Sequence, residues 1–587
     1  MARSAQRSRV GLALCAMFAA VVLQSVAHRH SINPDSVSYL DVASAYRAGD
    51  LSTAINGYWS PLISWIFAGT LLLPGPLAAI HEATSAHVVM VALFFVALAA
   101  LEFAIREAYK FAQLRAADSL HGLSIGWWRL AGYSLLAWAT LELISVEYVG
   151  PDLLVSAFIY LEFALLFRIA RGDTRAKTML ALGLAVGGAY LTKAVMFPTG
   201  LLVLAGTFVL LLWKLPRGQA FRSIAISVIG FAILAGPWIA VLSHAKGYLT
   251  FGGTGKLNYA WQVDGVPTCC WQGEGDAGKP IHPPRQIYTM PATFEFATPL
   301  RVTFPLWYDA TYWYEGVTPP IHPIRQAWVF VSNLVTYLPD FTWMLAFGAL
   351  AATLLVKRVV IPANRWYWVL LALALAPFGV YALVGTETRY LGGSAVVVCL
   401  VLLAGMRAGT AVGGIALRAA VLAIVVPTLT VTALRVLGDA RFLIVNLMTN
   451  NSEEGLSNRW KIAHVPMPPS IDIARDLMRR GVAQGAGIAT IGDAGYAYWA
   501  RLAHVQVISQ LQWREGFWAN DSTRNAIVEA MRRAGVQLIV CDVPPAWANT
   551  TGWERIRGTG AVLLDLRSRS TTRAGGGPAP PSAIPTH

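Results

Sequence analysis

Eleven apolar stretches, each close to the roughly 20 residues that a helix needs to cross a bilayer core, divide most of this 587-residue chain. They lie near 10–27, 84–105, 130–147, 152–168, 178–191, 195–213, 223–243, 327–356, 366–384, 391–406 and 413–435. Hydrophobic residues make up 56% of the chain and charged residues 13%, about half the charge of an ordinary soluble domain. That balance excludes a disordered chain, a small disulfide scaffold and a single soluble globule. The expected fold class is an α-helical polytopic membrane protein of about 11 transmembrane helices.

A twelfth stretch, 61–80, is interrupted by two prolines and a glycine and bordered by Trp59 and Trp65. Charge decides how to count it. Left on the surface, it lets alternate loops gather Arg3, Arg7 and Arg9, then Arg106 to Arg129, Arg168 to Lys177, Lys214 to Arg222, Lys357 to Arg365, and Arg407 with Arg418 on one side. The opposite short loops keep only Arg29, Arg47, Lys193 and Arg389. Counting 61–80 as a span would put the basic loops outside. The N-terminus is therefore expected inside, and the net charge of +14 belongs to cytoplasmic loops of a cell (inner) membrane protein. It is not a nucleic-acid footprint, for no Lys/Arg-rich run occurs. Residues 10–27 follow three arginines, as a signal peptide would. No A-x-A-like site comes after them, so an uncleaved first helix is expected.

Three segments then face outward: loop 28–83, loop 244–326 and the chain beyond about 440. IDIARDLMRR and TRNAIVEAMRRAG read as helices there, and GIATIGD, VQVISQ, VQLIVCD and AVLLDLR as strands. The alternation predicts a small extracytoplasmic α/β domain within 441–570, after a membrane domain at 1–440 and before a Pro/Gly/Ser-rich, disordered tail at 571–587. The long loop holds a local repeat, PIHPPRQ at 280–286 and PIHPIRQ at 320–326, around an aromatic run, FPLWYDATYWYEG. Those aromatics suit packing at the membrane surface or stacking on sugars. Cys269 and Cys270 form a vicinal disulfide or stay as two thiols. No CxxC pair marks a metal site.

Chemistry-bearing residues collect at the outer ends of the spans. Asp35 and Tyr39 open the first outer loop, and Asp152 precedes the fourth span, near Glu142 and Glu147. Each aspartate stands where a helix begins, so capping by Asp35 or Ser36, and by Asp152, is the plainer reading. The chemical reading is a general base at a partly dry membrane edge. Lys193, in YLTKAVM, and Arg389, between Glu387 and Tyr390, are cations on the face that the charge bias depletes. Phosphate recognition explains them, and so does a salt bridge to Asp35, Asp152 or Glu387.

At these residues the chain resembles the C-type integral-membrane glycosyltransferases, the superfamily of protein O-mannosyltransferases and aminoarabinose transferases of lipid A. The likeness rests on Asp35 with Tyr39, the loosely spaced run from Gly49 to Leu62, P-D-L-L at 151–154, Y-L-T-K at 190–193 and E-T-R-Y at 387–390, in order over about residues 5–400. It implies a polyprenyl-phosphate-linked sugar donor and a lipid, glycan or protein acceptor. Asp35 would be the catalytic base and Asp152 a second acid that helps to bind acceptor or metal. Lys193 and Arg389 would meet the donor phosphate, with Tyr39, Glu387 and Tyr390 beside them. Transfer would proceed with inversion. A divalent cation is the one cofactor the resemblance leaves open, and the scattered histidines offer no ligand set for it. The repeat-bearing loop is no general feature of that superfamily. The rival readings are a transporter or lipid flippase, against which the charges sit at span ends and no repeat of the spans is seen, and a non-catalytic scaffold for envelope assembly.

Overall fold

The computed structural model describes residues 2–70, 81–113, 122–297, 299–339, 341, 348, 359–360, 365–408, 411–449 and 470–567. It divides into two compact units, Met1–Pro283 with Leu306–Asn451, and Pro284–Pro305 with Ser452–His587.

The first unit is helical. Its principal helices are α1 (Ala2–Ala27), α2 (Pro34–Ala48), α3 (Leu62–Thr70), α4 (Glu82–Gln113), α5 (Ile125–Trp138), α6 (Asp152–Ala170), α7 (Ala176–Thr192), α8 (Met196–Leu212), α9 (Arg217–Lys246), α10 (Pro323–Thr336), α11 (Arg365–Ala382), α12 (Gly392–Gly405) and α13 (Ala411–Thr449). Seven helical segments among the described residues, α1, α4, α6, α9, α11, Thr388–Gly405 and α13, are long and apolar enough to cross a membrane. α7 and α8 are shorter apolar helices. The chain is a multi-pass membrane protein. α5 covers the start of the expected span at 130–147 and passes into a π-helical turn, Ala139–Ile144. Most of 341–356 and of 71–80 lies outside the described residues, so the interrupted stretch is seen only as α3.

Small residues set the closest crossing. A Cβ on Gly183 of α7 would overlap the carbonyl oxygen of Ser227 in α9, and one on Gly230 would come within 2.7 Å of the Leu180 carbonyl oxygen. Such pairs let membrane helices meet backbone to backbone, where van der Waals contact rather than water exclusion holds them. Ser227 adds a hydrogen bond from its hydroxyl to the Met179 carbonyl, at 2.8 Å. The crossing fixes α7, and Lys193 is the residue that ends α7. Gly183→Leu should destabilise the protein by about 1–3 kcal/mol through overpacking, read as a lowered melting temperature in detergent. An unchanged melt would mean that the two helices stand further apart.

A second contact clamps the ends of the chain's membrane unit. His28, just past α1, lies 3.1 Å from Asp439 of α13, while Arg435 of α13 donates to Glu147 at 2.9 Å. Glu147 belongs to the 145–151 turn after the π-helix. That turn also accepts a 2.5 Å bond at the Val149 carbonyl from the Ser36 hydroxyl, so α2 and the start of α6 are held together.

The second unit is α/β. Its sheet runs in the order β1 (Arg285–Tyr288), β2 (Thr293–Glu295), β4 (Gln506–Leu511), β3 (Gly487–Ile491), β5 (Leu538–Cys541), β7 (Val562–Asp565) and β6 (Glu554–Arg555). β4, β3 and β5 are parallel, and the outer pairings are antiparallel. The helices α14 (Ser470–Arg479) and α15 (Asp521–Arg533) belong to this unit, and Ile527 and Met531 of α15 lie in the core with Ile539 and Leu511 of the sheet. β1 and β2 come from the long loop at 244–326, a contribution that the sequence did not announce. Cys269 and Cys270 are joined as a disulfide.

Candidate active site at the mouth of the helices

Two acids and two cations meet at one place. Arg389, in the single turn Thr388–Leu391 before α12, donates from Nη2 to Asp35 Oδ2 at 2.9 Å and from Nε to Glu387 Oε2 at 2.5 Å. Its Nη1 lies 3.8 Å from Asp152 Oδ2. Lys193 donates to Asp152 Oδ1 at 2.6 Å. The guanidinium thus bridges carboxylates from α2, α6 and the turn before α12. Only 5% of the Asp152 side chain and 13% of the Arg389 side chain are exposed. Charges so nearly removed from water persist because each meets its opposite.

The sequence placed Asp35 or Ser36 at a helix cap. The cap is instead Asn33, whose side chain accepts from the Ser36 N–H at 2.8 Å. Pro34 at the first helical position makes Asn33 the cap, since proline has no N–H to be satisfied there. Asp35 is free of that duty and its carboxylate turns to Arg389. Asp152 likewise makes no capping bond: Pro151 precedes it, and Asp152 is the first residue of α6. The positive end of the helix dipole adds to the support of its charge.

Aromatic rings enclose the cations. Lys193 Nζ lies 3.5 Å from the centroid of the Tyr390 ring, and the Arg389 guanidinium lies 5.6 Å from that of Tyr148, distances at which a ring face attracts a cation. Tyr390 donates its hydroxyl to Glu387 Oε1 at 3.2 Å and stacks on Tyr381. Tyr39 sits one helical turn after Asp35, buried against Trp59 at 4.9 Å between centroids. Burial, then the nearby Asp35 and Asp152, hold its phenol well above the ordinary value of 10.0, so it stays a neutral hydroxyl. All seven residues singled out in the sequence therefore fall in one cluster.

One member had no signal of its own. Trp307, in the aromatic run of the long loop, donates its indole N–H to Asp35 Oδ1 at 3.1 Å. The first loop sets its position. Asn56 donates to the Tyr308 carbonyl at 2.5 Å while its own carbonyl accepts from the N–H groups of Tyr58 and Trp59. The Trp59 indole donates to the Trp307 carbonyl at 3.2 Å. Tyr58, Trp59, Trp261 and Trp307 lie ring against ring around this knot. Asn56 stands inside the Gly49–Leu62 run; its spacing from Trp59 was legible, its role in tying two loops was not. Tyr308, Trp313 and Tyr314 are buried, so most of the aromatic run packs the outer loops.

No protein-family model and no curated protein matches the chain. Solved structures do. ArnT from Cupriavidus metallidurans bound to undecaprenyl phosphate superposes over 95% of this chain and 98% of its own, with a TM-score of 0.50 at 12% identity. The chain shares the fold of this ArnT. Apo ArnT from that organism gives a TM-score of 0.47 at 13% identity over 96% of this chain and 99% of that one. Archaeal oligosaccharyltransferase AglB from Archaeoglobus fulgidus, in complex with an inhibitory peptide and a dolichol-phosphate, gives 0.43 at 12% identity over 89% of this chain and 69% of its own.

Within this fold a metal finds poor footing at the cluster. A divalent cation needs several free carboxylate oxygens, whereas Asp35 and Asp152 are already engaged by Arg389, Lys193 and Trp307. Among the described residues no group of three or more His, Cys, Asp or Glu is placed to hold one.

Proposed function

We propose that the chain is a glycosyltransferase that moves a sugar, with inversion, from a polyprenyl-phosphate donor to an acceptor hydroxyl on the extracytoplasmic side of the cell membrane. The observation that carries this reading is the bridge of Arg389 between Asp35 and Asp152, with Lys193 on the far side of Asp152. A site for phosphate-linked sugar needs a proton acceptor beside cations that tolerate a second anion. Guanidinium has five N–H donors and ammonium three. Arg389 and Lys193 spend some on carboxylates and keep others for phosphate oxygens. ArnT, whose fold the chain shares, was crystallised with undecaprenyl phosphate, and that donor class is carried over here as part of the proposal.

The step balances simply. The acceptor O–H attacks the anomeric carbon from the face opposite the phosphate. Its proton goes to Asp35, the anomeric C–O bond to phosphate breaks, and the electron pair leaves with the polyprenyl phosphate. Negative charge grows on the leaving phosphate, so Arg389 and Lys193 stabilise the transition state more than the ground state. Asp152 holds the two cations in register. Tyr39, Glu387 and Tyr390 line the place. No step runs through a metal. The charges of this cluster sit at helix ends rather than at mid-span, which favours an enzyme over a transporter.

Purified protein in nanodiscs, given undecaprenyl phosphate carrying a radiolabelled pentose or hexose together with membrane lipid and oligosaccharide acceptors, should transfer label. Absence of transfer with every such donor would refute the reading. Trp307 is a positioning residue. Trp307→Phe keeps the ring packing but removes the N–H, and a hydrogen bond to a charged group is worth about 1.5–3 kcal/mol. If half of that is felt in the transition state, kcat falls about 4- to 13-fold with donor KM unchanged. A rise in KM at constant kcat would make Trp307 a wall of the donor pocket instead.

A further inference from the structure

The second unit carries a group of residues that the transfer reaction leaves unused. The chain leaves β3 toward β4 on one side of the sheet and later reaches β5 on the other. In parallel sheets the crevice outside the carboxyl ends of the strands, where the connections diverge, is where ligands bind. Five chemistry-bearing residues come directly after those ends: Asp493 after β3, Trp513 and Arg514 after β4, and Asp542 with Trp547 after β5.

Asp542 is the observation that points to a ligand. Its side chain is 7% exposed, its Oδ2 lies 3.9 Å from Arg514 Nη2, beyond hydrogen-bond reach, and its buried Oδ1 is unsatisfied, the neighbouring Trp499 indole N–H standing outside hydrogen-bond geometry. A buried polar oxygen without a partner costs about 1–3 kcal/mol, which a bound hydroxyl would offset. Burial pushes the carboxyl up to about 7, against the pull of Arg514. Arg514 reaches this edge across Gly492, where a Cβ would stand 2.7 Å from Nη2; Gly492 also holds φ +138, a conformation that favours glycine. Two indoles stand in solvent at the same edge, Trp513 at 55% and Trp547 at 60% exposure. The Trp513 ring lies so close over Gly516 that a Cβ there would overlap it, so its face is fixed in advance.

We propose that this edge binds a neutral carbohydrate, with Asp542 and Asp493 accepting from ring hydroxyls, Arg514 donating to ring oxygens, and Trp513 and Trp547 stacking on the apolar faces. Asp493 and, in part, Asp542 offset the one guanidinium, so the edge holds no excess positive charge to draw phosphates or acidic glycans. Exposed indoles supply amphipathic contact area at small entropy cost, and a ring that is apolar on its faces and hydroxylated at its rim matches both sets of groups. The site stands on the second unit alone and does not depend on the transfer reaction.

Full-length protein in nanodiscs is applied to an array of neutral and acidic oligosaccharides, and the best-retained neutral one is titrated calorimetrically. Trp513→Ala and Trp547→Ala, at exposed positions, and Asp542→Asn should each weaken binding at least tenfold, about 1.4 kcal/mol, with the melting temperature held. Asp35→Asn should bind as the unaltered protein does, which separates this site from the transfer site. Retention of no neutral oligosaccharide, preference for acidic ones, or unchanged affinity in both tryptophan variants would overturn the proposal. Loss of fold in Asp542→Asn alone would leave the tryptophan pair to decide it.

Discussion

Asp35→Asn lowers kcat by about 10²–10⁴-fold, the range for removing a positioned general base, while the donor still binds. The substitution is nearly isosteric. An amide oxygen can still accept from Arg389 Nη2, which stands 2.9 Å from the carboxylate now, but the amide NH2 then faces the Trp307 N–H and that hydrogen bond is lost. Side-chain volume beside α2 is preserved, and a fall in rate beyond that of Trp307→Phe reports proton acceptance. The measurement is initial transfer rate under saturating labelled donor, with the melting temperature as control. A variant that turns over as fast as the unaltered protein would remove Asp35 from the chemistry and leave it a partner of Arg389.

Arg389→Ala has the next largest effect, a loss of about 10²–10³ in kcat by analogy with the deletion of one donor aimed at developing charge. Its consequences differ from those of Asp35→Asn in two ways. The guanidinium bridges Asp35, Glu387 and Asp152, so its removal leaves Asp35 without a cation and Asp152 with Lys193 alone. Like charges no longer separated by a cation repel, and the melting temperature falls together with the rate. Arg389→Lys restores charge without the planar fork, and a point charge cannot serve three carboxylates and a phosphate at once. Its rate should lie between the two. Equal rates for Arg389→Lys and the unaltered protein would show that charge alone suffices and that the fork geometry is immaterial.

How far the sequence could be read depends on whether a residue carries its own context. Asp152, Lys193 and Arg389 do: each interrupts or borders an apolar run long enough to fix its depth in a membrane, and charge bias gives its side. Their meeting results from helix order. The strands β3, β4, β5 and β7 were legible as short β-branched runs between helical stretches. Trp307 carried no such context, because an aromatic in a long irregular loop has no periodicity to say what it faces. The cap of α2, read as Asp35 or Ser36, is Asn33, two or three residues earlier, although Pro34 marked it.

The two copies of the local repeat show the limit most plainly. PIHPPRQ runs into strand β1, whereas PIHPIRQ opens helix α10 with Pro323 at its first turn. The residues downstream of each copy decide its conformation. QAWVFVSNLV continues without a breaker and sustains a helix, while QIYTMPATF meets Pro291 within a few residues. Their histidines differ too: His282 pairs with Glu315 at 3.3 Å and His322 with Asp264 at 3.5 Å.

The bond between Asp35 and Arg389 joins residues 354 positions apart. At about 5–20 residues per second a ribosome needs roughly 20–70 s to make the second after the first. Throughout that interval the nascent chain has threaded its first helices but owns no finished centre. A half-inserted polypeptide therefore cannot carry out the proposed transfer, which has to wait until the late turn arrives.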